Sequence, residues 1–238
     1  VSDVPVASLL SGGIDSSIVT MIAAQHDPSI HAFTVGFQQD PDHQDLVHAR
    51  QVASYLRLNH SEILLDDPSI ADLTETVKYF DEPFADSAIL AGAGLMKAVG
   101  KHSRVVLSGD GGDEMFFGYP AYTQLDQKIS KRSTAMHNFL MYTALAHGRG
   151  FRLFHRKCLD IEEAYSAGYF GMSSRIIEKM FRSSHEFSPS FPSSTHPESV
   201  RAYDLDVNLP DYYLAKVDKL SMAESVEVRV PLLSLSIF

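Results

Sequence analysis

Residues 7–24, ASLLSGGIDSSIVTMIAA, constrain the fold more than any other part of the chain. The apolar run Val4 to Leu10 reads as a buried strand and Ser11-Gly12-Gly13 as a turn; Ile14, Ile18, Val19, Ile22 and Ala23 then recur at helical spacing. Strand, glycine turn and helix in this order aim free backbone N–H groups at an anion. Gly12 and Gly13 allow a sharp turn and close backbone approach, and Ser11, Ser16 and Ser17 add hydroxyl donors around the helix start. The lysine of a P-loop is missing, however, and Asp15 stands where positive charge would help. In an ordinary strand-to-helix turn that carboxylate gains about 0.3–1 kcal/mol from the helix dipole, which is one reading of it. In a polyphosphate site it needs a divalent cation beside it, and Mg²⁺ is commonly held by one or two carboxylates plus phosphate oxygens.

Strands and helices alternate beyond this point. Ile30 to Phe37 reads as a second strand and Leu46 to Leu58 as an amphipathic helix; His60 to Leu65 follows as a third strand and Ile70 to Phe80 as a helix. DEPFADSA restarts the chain, with Asp86 or Ser87 as N-cap of a helix running to about Gly100, and Arg104 to Leu107 makes a fourth strand. The pattern predicts an α/β fold: a doubly wound, mostly parallel sheet covered by helices on both faces, with ligands at the carboxyl ends of its strands. The loop SGDGGDE leaves the fourth strand at that edge, with Asp110, Asp113 and Glu114 close together. Alone it reads as a solvated acidic turn. Paired with the first loop, Asp113 is the natural second metal ligand beside Asp15, leaving Asp110 free for charge or proton work.

The 30 acidic and 20 basic residues among 238 give a formal charge of −10, which repels nucleic acid and anionic membranes in the absence of a segregated basic patch, and none is visible. One cysteine, Cys158, excludes an internal disulfide, and no charged segment followed by a long apolar stretch opens the chain, which points to the cytoplasm. No apolar run is long enough for a membrane span, and the 11 histidines lack close ligand spacing. Between residues 122 and 200 the composition turns helical, ending in the Ser/Pro-rich SSHEFSPSFPSSTHPESV, which reads as a mobile loop.

SGGIDSS with its preceding strand resembles the pyrophosphate loop of the adenylating ATP pyrophosphatases. The set SGGIDSS, FTVGF, DEPFADSA, LSGDGGDEMFFGY and LAKVDKLSMAESVEVRVP resembles the synthetase domain of the asparagine synthase family, over roughly residues 3 to 122 and 203 to 233. The resemblance implies an adenine nucleotide alpha hydrolase-like fold in two segments, 1–122 and 203–238, with 123–202 as a helical insertion. It implies an AMP-forming amide ligase: a carboxylate, by default that of aspartate, attacks the α-phosphate of ATP, pyrophosphate leaves, and ammonia captures the acyl-adenylate. By the same resemblance Ser11, Gly13, Asp15 and Ser16 bind the pyrophosphate part of ATP, Asp15 and Asp113 bind Mg²⁺, and the backbone at Leu10, Val35 and Gly109 lines the adenosine pocket. Asp110 stands where the best-known asparagine synthetases carry glutamate, one methylene shorter, in the role of a base toward ammonia.

Lys216 and Lys219 flank Asp218 on a helix, either as cations near phosphate, with Lys219 the catalytic candidate, or as surface lysines with snorkelling stems. Phe84, Asp86 and Ser87 are candidates to face the amino-acid substrate, although an N-cap role also accounts for Asp86 or Ser87. Glu227 and Arg229 fit an edge strand or a structural ion pair. Glutamine-using members begin with a glutaminase domain that supplies ammonia and continue past RVP-F-L-D to a functional lysine. Neither is present in these 238 residues, so the sequence reads as a fragment expected to bind Mg-ATP with little amide synthesis. Two alternatives stand beside this reading: a tRNA-modifying pyrophosphate-loop enzyme, disfavoured by the acidic balance and missing Cys pairs, and a non-catalytic nucleotide-binding domain.

Overall fold

The computed structural model of the protein describes residues 2–120, 122 and 197–237. Cys158, the Ser/Pro-rich stretch up to residue 196 and most of the expected helical insertion lie outside the described residues. The chain divides into two units, Val1–Phe116 with Asn208–Phe238, and Phe117–Val207.

The first unit holds five strands: β1 (Val6–Leu9), β2 (His31–Phe37), β3 (Asn59–Leu65), β4 (Val105–Leu107) and β5 (Glu227–Arg229). All pair in parallel, in the order β3-β2-β1-β4-β5. From β1 the sheet grows one way through β2 and β3 and the other way through β4 and β5, so the β1/β4 boundary is the topological switch point where such sheets bind ligands. Helices α1 (Ile14–His26), α2 (Gln44–Leu56), α3 (Ile70–Thr76), α4 (Ala88–Val99) and α5 (Gly112–Phe116) join or follow these strands. The helix expected over Ile70 to Phe80 starts on a capping box between Ser69 and Asp72 and tightens into a 3₁₀ turn at Val77–Tyr79. Among the described residues no helix is long and apolar enough to cross a membrane.

Alternation along β1 and β2 divides the core. Ala7 and Phe33 face one side, packed with Ile89, Val99 and Val106, while Leu10 and Ala32 pack with Ala49 and Ala53 of α2 on the other. Helix α1 departs from its apolar pattern. Its buried residues are Ser16, Val19 and Thr20, whereas Ile14, Ile18 and Ile22 are exposed. The reason is close approach to β1: Thr20 and Ser8 are both buried and share a hydrogen bond of 2.7 Å, so small hydroxyls meet where branched apolar chains were expected.

In the second unit, α6 (Pro197–Tyr203) supplies Val200 and Tyr203 to a small aromatic cluster with Tyr122, and the Arg201 guanidinium lies 4.6 Å from the Phe117 ring centroid. A π-helical stretch, Asp204–Leu214, containing Pro210, leads into α7 (Ala215–Ala223).

Candidate functional site

The two glycine loops leave β1 and β4, which are neighbours, and they touch. A Cβ on Gly109 would lie 2.6 Å from the Ser16 nitrogen and 2.9 Å from its Cα, and a Cβ on Gly112 would lie 2.3 Å from the Asp15 Cγ. The Asp15 carboxylate therefore rests against the backbone of the second loop. Asp113, in the first turn of α5, has its carboxyl pushed above the usual aspartate range, first by burial and then by the charge of Asp15. Among the described residues no basic side chain pairs with either carboxylate, and no group of three or more His, Cys, Asp or Glu gathers as a metal centre. Two unpaired carboxylates fit a Mg²⁺ ion that takes its remaining ligands from phosphate and water.

Within the first loop the two glycines differ. Gly12 has φ +80°, and a Cβ there would lie 2.6 Å from the Ala49 nitrogen of α2, so both conformation and space require glycine. Gly13 has extended backbone and is the N-cap of α1, with room for a side chain. Ser11 and Ser16 form a unit: their hydroxyls are 2.9 Å apart, the Ser11 N–H donates to the Ser16 Oγ at 3.2 Å, and the Gly13 N–H reaches the Ser11 Oγ at 3.4 Å. Ser17 does not join them. Its buried hydroxyl has no hydrogen-bond partner among the described residues, and it lines a cavity of about 370 Å³ with Met21, Val52 and Leu56 between α1 and α2.

In the second loop the Ser108 hydroxyl donates to the Asp110 Oδ2 at 2.5 Å, and the Asp110 N–H approaches the same hydroxyl at 3.4 Å. Asp110 is thus held by its own loop. The Ser108 N–H donates to the Arg229 carbonyl, so the edge strand β5 supports the base of this loop. Glu227 and Arg229 pair with each other at 2.6 Å, which is the structural role expected of them. Leu10, Val35 and Gly109 lie on the carboxyl side of β1, within β2 and after β4, and Leu10 is buried. The Leu10 N–H donates to the Phe33 carbonyl and its own carbonyl accepts the Thr34 hydroxyl, so the sheet already engages both groups.

The lysines are engaged as well. Lys216 Nζ lies 2.7 Å from Asp86 Oδ2, with both side chains largely buried, and it lies 5.5 Å from the centroids of the Tyr212 and Tyr213 rings. Burial pushes the Asp86 carboxyl up, but Lys216, the Ala88 N–H and the Tyr212 hydroxyl outweigh it and hold it below its ordinary value. The Tyr212 phenol is pushed up to about 12, by burial and then by the Asp86 charge. Lys219 Nζ is 2.5 Å from Asp81 Oδ2, an exposed pair, and is not seen reaching either glycine loop. Phe84 stacks on Phe80 and Tyr212 at 4.7 and 4.8 Å, and Ser87 makes no side-chain cap, the Ala88 N–H going to Asp86 instead. Sequence reasoning missed Tyr212, Thr34 and His60; the one signal for Thr34 was a hydroxyl residue inside the apolar run IHAFTVGF.

The profile of the asparagine synthase family matches residues 1–238. Among curated proteins, glutamine-hydrolyzing asparagine synthetase 1 of Bacillus subtilis (strain 168) is 32% identical over 255 aligned positions, covering 100% of this chain and 40% of the relative. The corresponding synthetase of Brassica oleracea is 30% identical over 204 positions, 76% of this chain and 31% of the relative. Arabidopsis thaliana asparagine synthetase 1 is 32% identical over 197 positions, 74% of this chain and 30% of the relative. The chain thus spans 40% or less of the length of these relatives. With the family profile matched from end to end, the chain belongs to the asparagine synthase family.

Proposed function

We propose that this chain carries the ATP-handling part of an AMP-forming amide ligase, which adenylates a carboxylate, by default that of aspartate, for attack by ammonia. The observation that supports this most is the contact of the two glycine loops, which brings Asp113 within the electrostatic reach of Asp15 with no basic side chain paired to either among the described residues. In this reading the turn Ser11-Gly12-Gly13 and the first turn of α1 receive the β- and γ-phosphates. Backbone N–H groups at the helix start and the Ser11 and Ser16 hydroxyls donate to phosphate oxygens. Asp15 and Asp113 would hold Mg²⁺, which when bound neutralises phosphate charge.

The protein's own contribution is largely positioning. The Ser11–Ser16 hydrogen bond orients both hydroxyls before phosphate arrives, and Gly109 lets the second loop lie on the first turn of α1. Asp110, held through Ser108, would in this reading accept a proton from incoming ammonia. Lys219 is offered as a cation only if it leaves Asp81. Ammonia is proposed to come from a glutaminase domain of a longer protein, as the name of the Bacillus relative suggests.

Carboxylate-dependent exchange of labelled pyrophosphate into ATP, screened over amino acids in the full-length protein, tests the reading. Exchange that requires Mg²⁺ and one amino acid is expected, with AMP and pyrophosphate as products. ADP and phosphate would mean that the Ser11–Ser17 loop acts in a different cleavage.

A further inference from the structure

The pairing of β1 with β2 ends at Leu9 and Phe33, and the Leu10 N–H still donates to the Phe33 carbonyl. The Leu10 carbonyl, the last backbone acceptor before the Ser11-Gly12-Gly13 turn, is taken by a side chain: the Thr34 hydroxyl, 2.5 Å away and buried. Behind Thr34 lies His60 of β3, with Nε2 2.8 Å from the same hydroxyl oxygen. The hydroxyl has one proton and a carbonyl can only accept, so Thr34 donates to Leu10 and accepts from His60. That assigns the proton of His60 to Nε2. Burial, opposed by Glu62, holds the His60 imidazole below its ordinary pKa, consistent with the neutral ring. Glu62 itself is occupied by Arg50 of α2, which grips it with two hydrogen bonds of 2.6 and 2.7 Å.

We propose that Thr34 and His60 are a positioning pair: by fixing the direction of the Leu10 carbonyl, they set the peptide from which the phosphate-binding turn departs and so hold that turn ready for nucleotide. Neither residue touches the phosphate loop's own donors. Their effect passes through one peptide plane, because rotating the Leu10 carbonyl also rotates the Ser11 N–H bonded to the Ser16 hydroxyl. The pair rests on the ATP-binding role proposed above.

The test is Mg-ATP titration by calorimetry in the full-length protein, alongside ligand-free thermal melts. Thr34→Val keeps the shape and removes the donor; losing one such buried hydrogen bond is expected to weaken Mg-ATP binding about five- to ten-fold. Thr34→Ser and His60→Gln, which keep a hydroxyl and a donor at the Nε2 position, should bind like the parent. His60→Leu should weaken binding in the same direction as Thr34→Val, and it carries the test if Thr34→Val does not fold. Val99→Ala, in the core under the other face of the sheet, should lower the melting temperature without changing affinity. Parental affinity in the two disruptive variants, no recovery with serine, or an equal loss in Val99→Ala would overturn the proposal. A parent that does not bind Mg-ATP would overturn the ATP-binding reading itself, and is distinguishable because no variant is then needed.

Discussion

Two acidic regions of the first unit are built on opposite electrostatic plans. On the segment leading into α4, each aspartate has its own lysine from α7, Asp81 with Lys219 and Asp86 with Lys216, and Asp86 is held below its ordinary pKa. At the carboxyl edge of β1 and β4, Asp15 and Asp113 have no basic partner among the described residues, and Asp113 is pushed upward, by burial and then by Asp15. A compensated carboxylate stabilises the fold as it stands. An uncompensated pair is held together at a cost in the ligand-free protein, and such costs gather where a ligand is to be bound. The contrast separates acids that the fold neutralises from a pair that, among the described residues, it leaves without a basic partner.

The largest effect should come from breaking the uncompensated pair. Asp15→Ala and Asp113→Ala are each expected to lower Mg²⁺-dependent turnover by about 10² to 10³, the usual scale for losing one electrostatic partner of developing charge, and to remove the Mg²⁺ dependence of ATP binding. Parent-like titrations would dissolve the distinction between the two regions. Next comes the compensated pair. Lys216→Met strands Asp86 in a largely buried position, and urea denaturation at neutral pH should show a loss of about 2–3 kcal/mol, somewhat below the figure for a wholly buried pair. Replacing both partners with apolar residues should recover part of it.

pH sharpens the comparison further. Asp86 has a lowered folded pKa, so its contribution is present above the ordinary aspartate value and is lost as pH falls through the folded value. Asp113 has a raised one, so its contribution is present below the ordinary value and is lost as pH rises through the folded value. Asp113→Asn should therefore be more stable than the parent at neutral pH without Mg²⁺, with the advantage vanishing toward acid. Denaturation at the two pH values checks the sign, and a less stable variant at neutral pH would refute the electrostatic account. The smallest effect belongs to Lys219→Met: Asp81 is 92% exposed, so no measurable change in melting temperature is expected. A large fall in turnover with unchanged stability would instead restore Lys219 as a catalytic cation.

Much of this was legible before any coordinates. The alternation of runs such as IHAFTVGF and RVVL with helical stretches foretold the parallel sheet, because strands buried on both faces read as nearly continuous apolar segments. The two glycine loops were visible because close backbone contacts call for few residue types. The buried face of α1 was misleading in the sequence: Ser16 and Thr20 face inward, a choice made by the distance between α1 and β1 rather than by hydropathy. The pairing of Thr34 with His60 was silent, since two polar residues 26 positions apart carry no periodic signal, even though Thr34 alone stands out as a hydroxyl within an apolar run.

Local sequence was enough to set the order of strands and helices along the chain, the places where it must turn on glycine, and the supply of acids and lysines. These follow from local steric rules and from hydrophobic periodicity, which act over a few residues. Which charges are neutralised depends on how the elements assemble. Assembly set Lys216 against Asp86, 130 positions away, and brought Gly112 against Asp15, which has no basic partner among the described residues. Coulomb energies depend on distance and burial, and neither is fixed until the sheet is assembled.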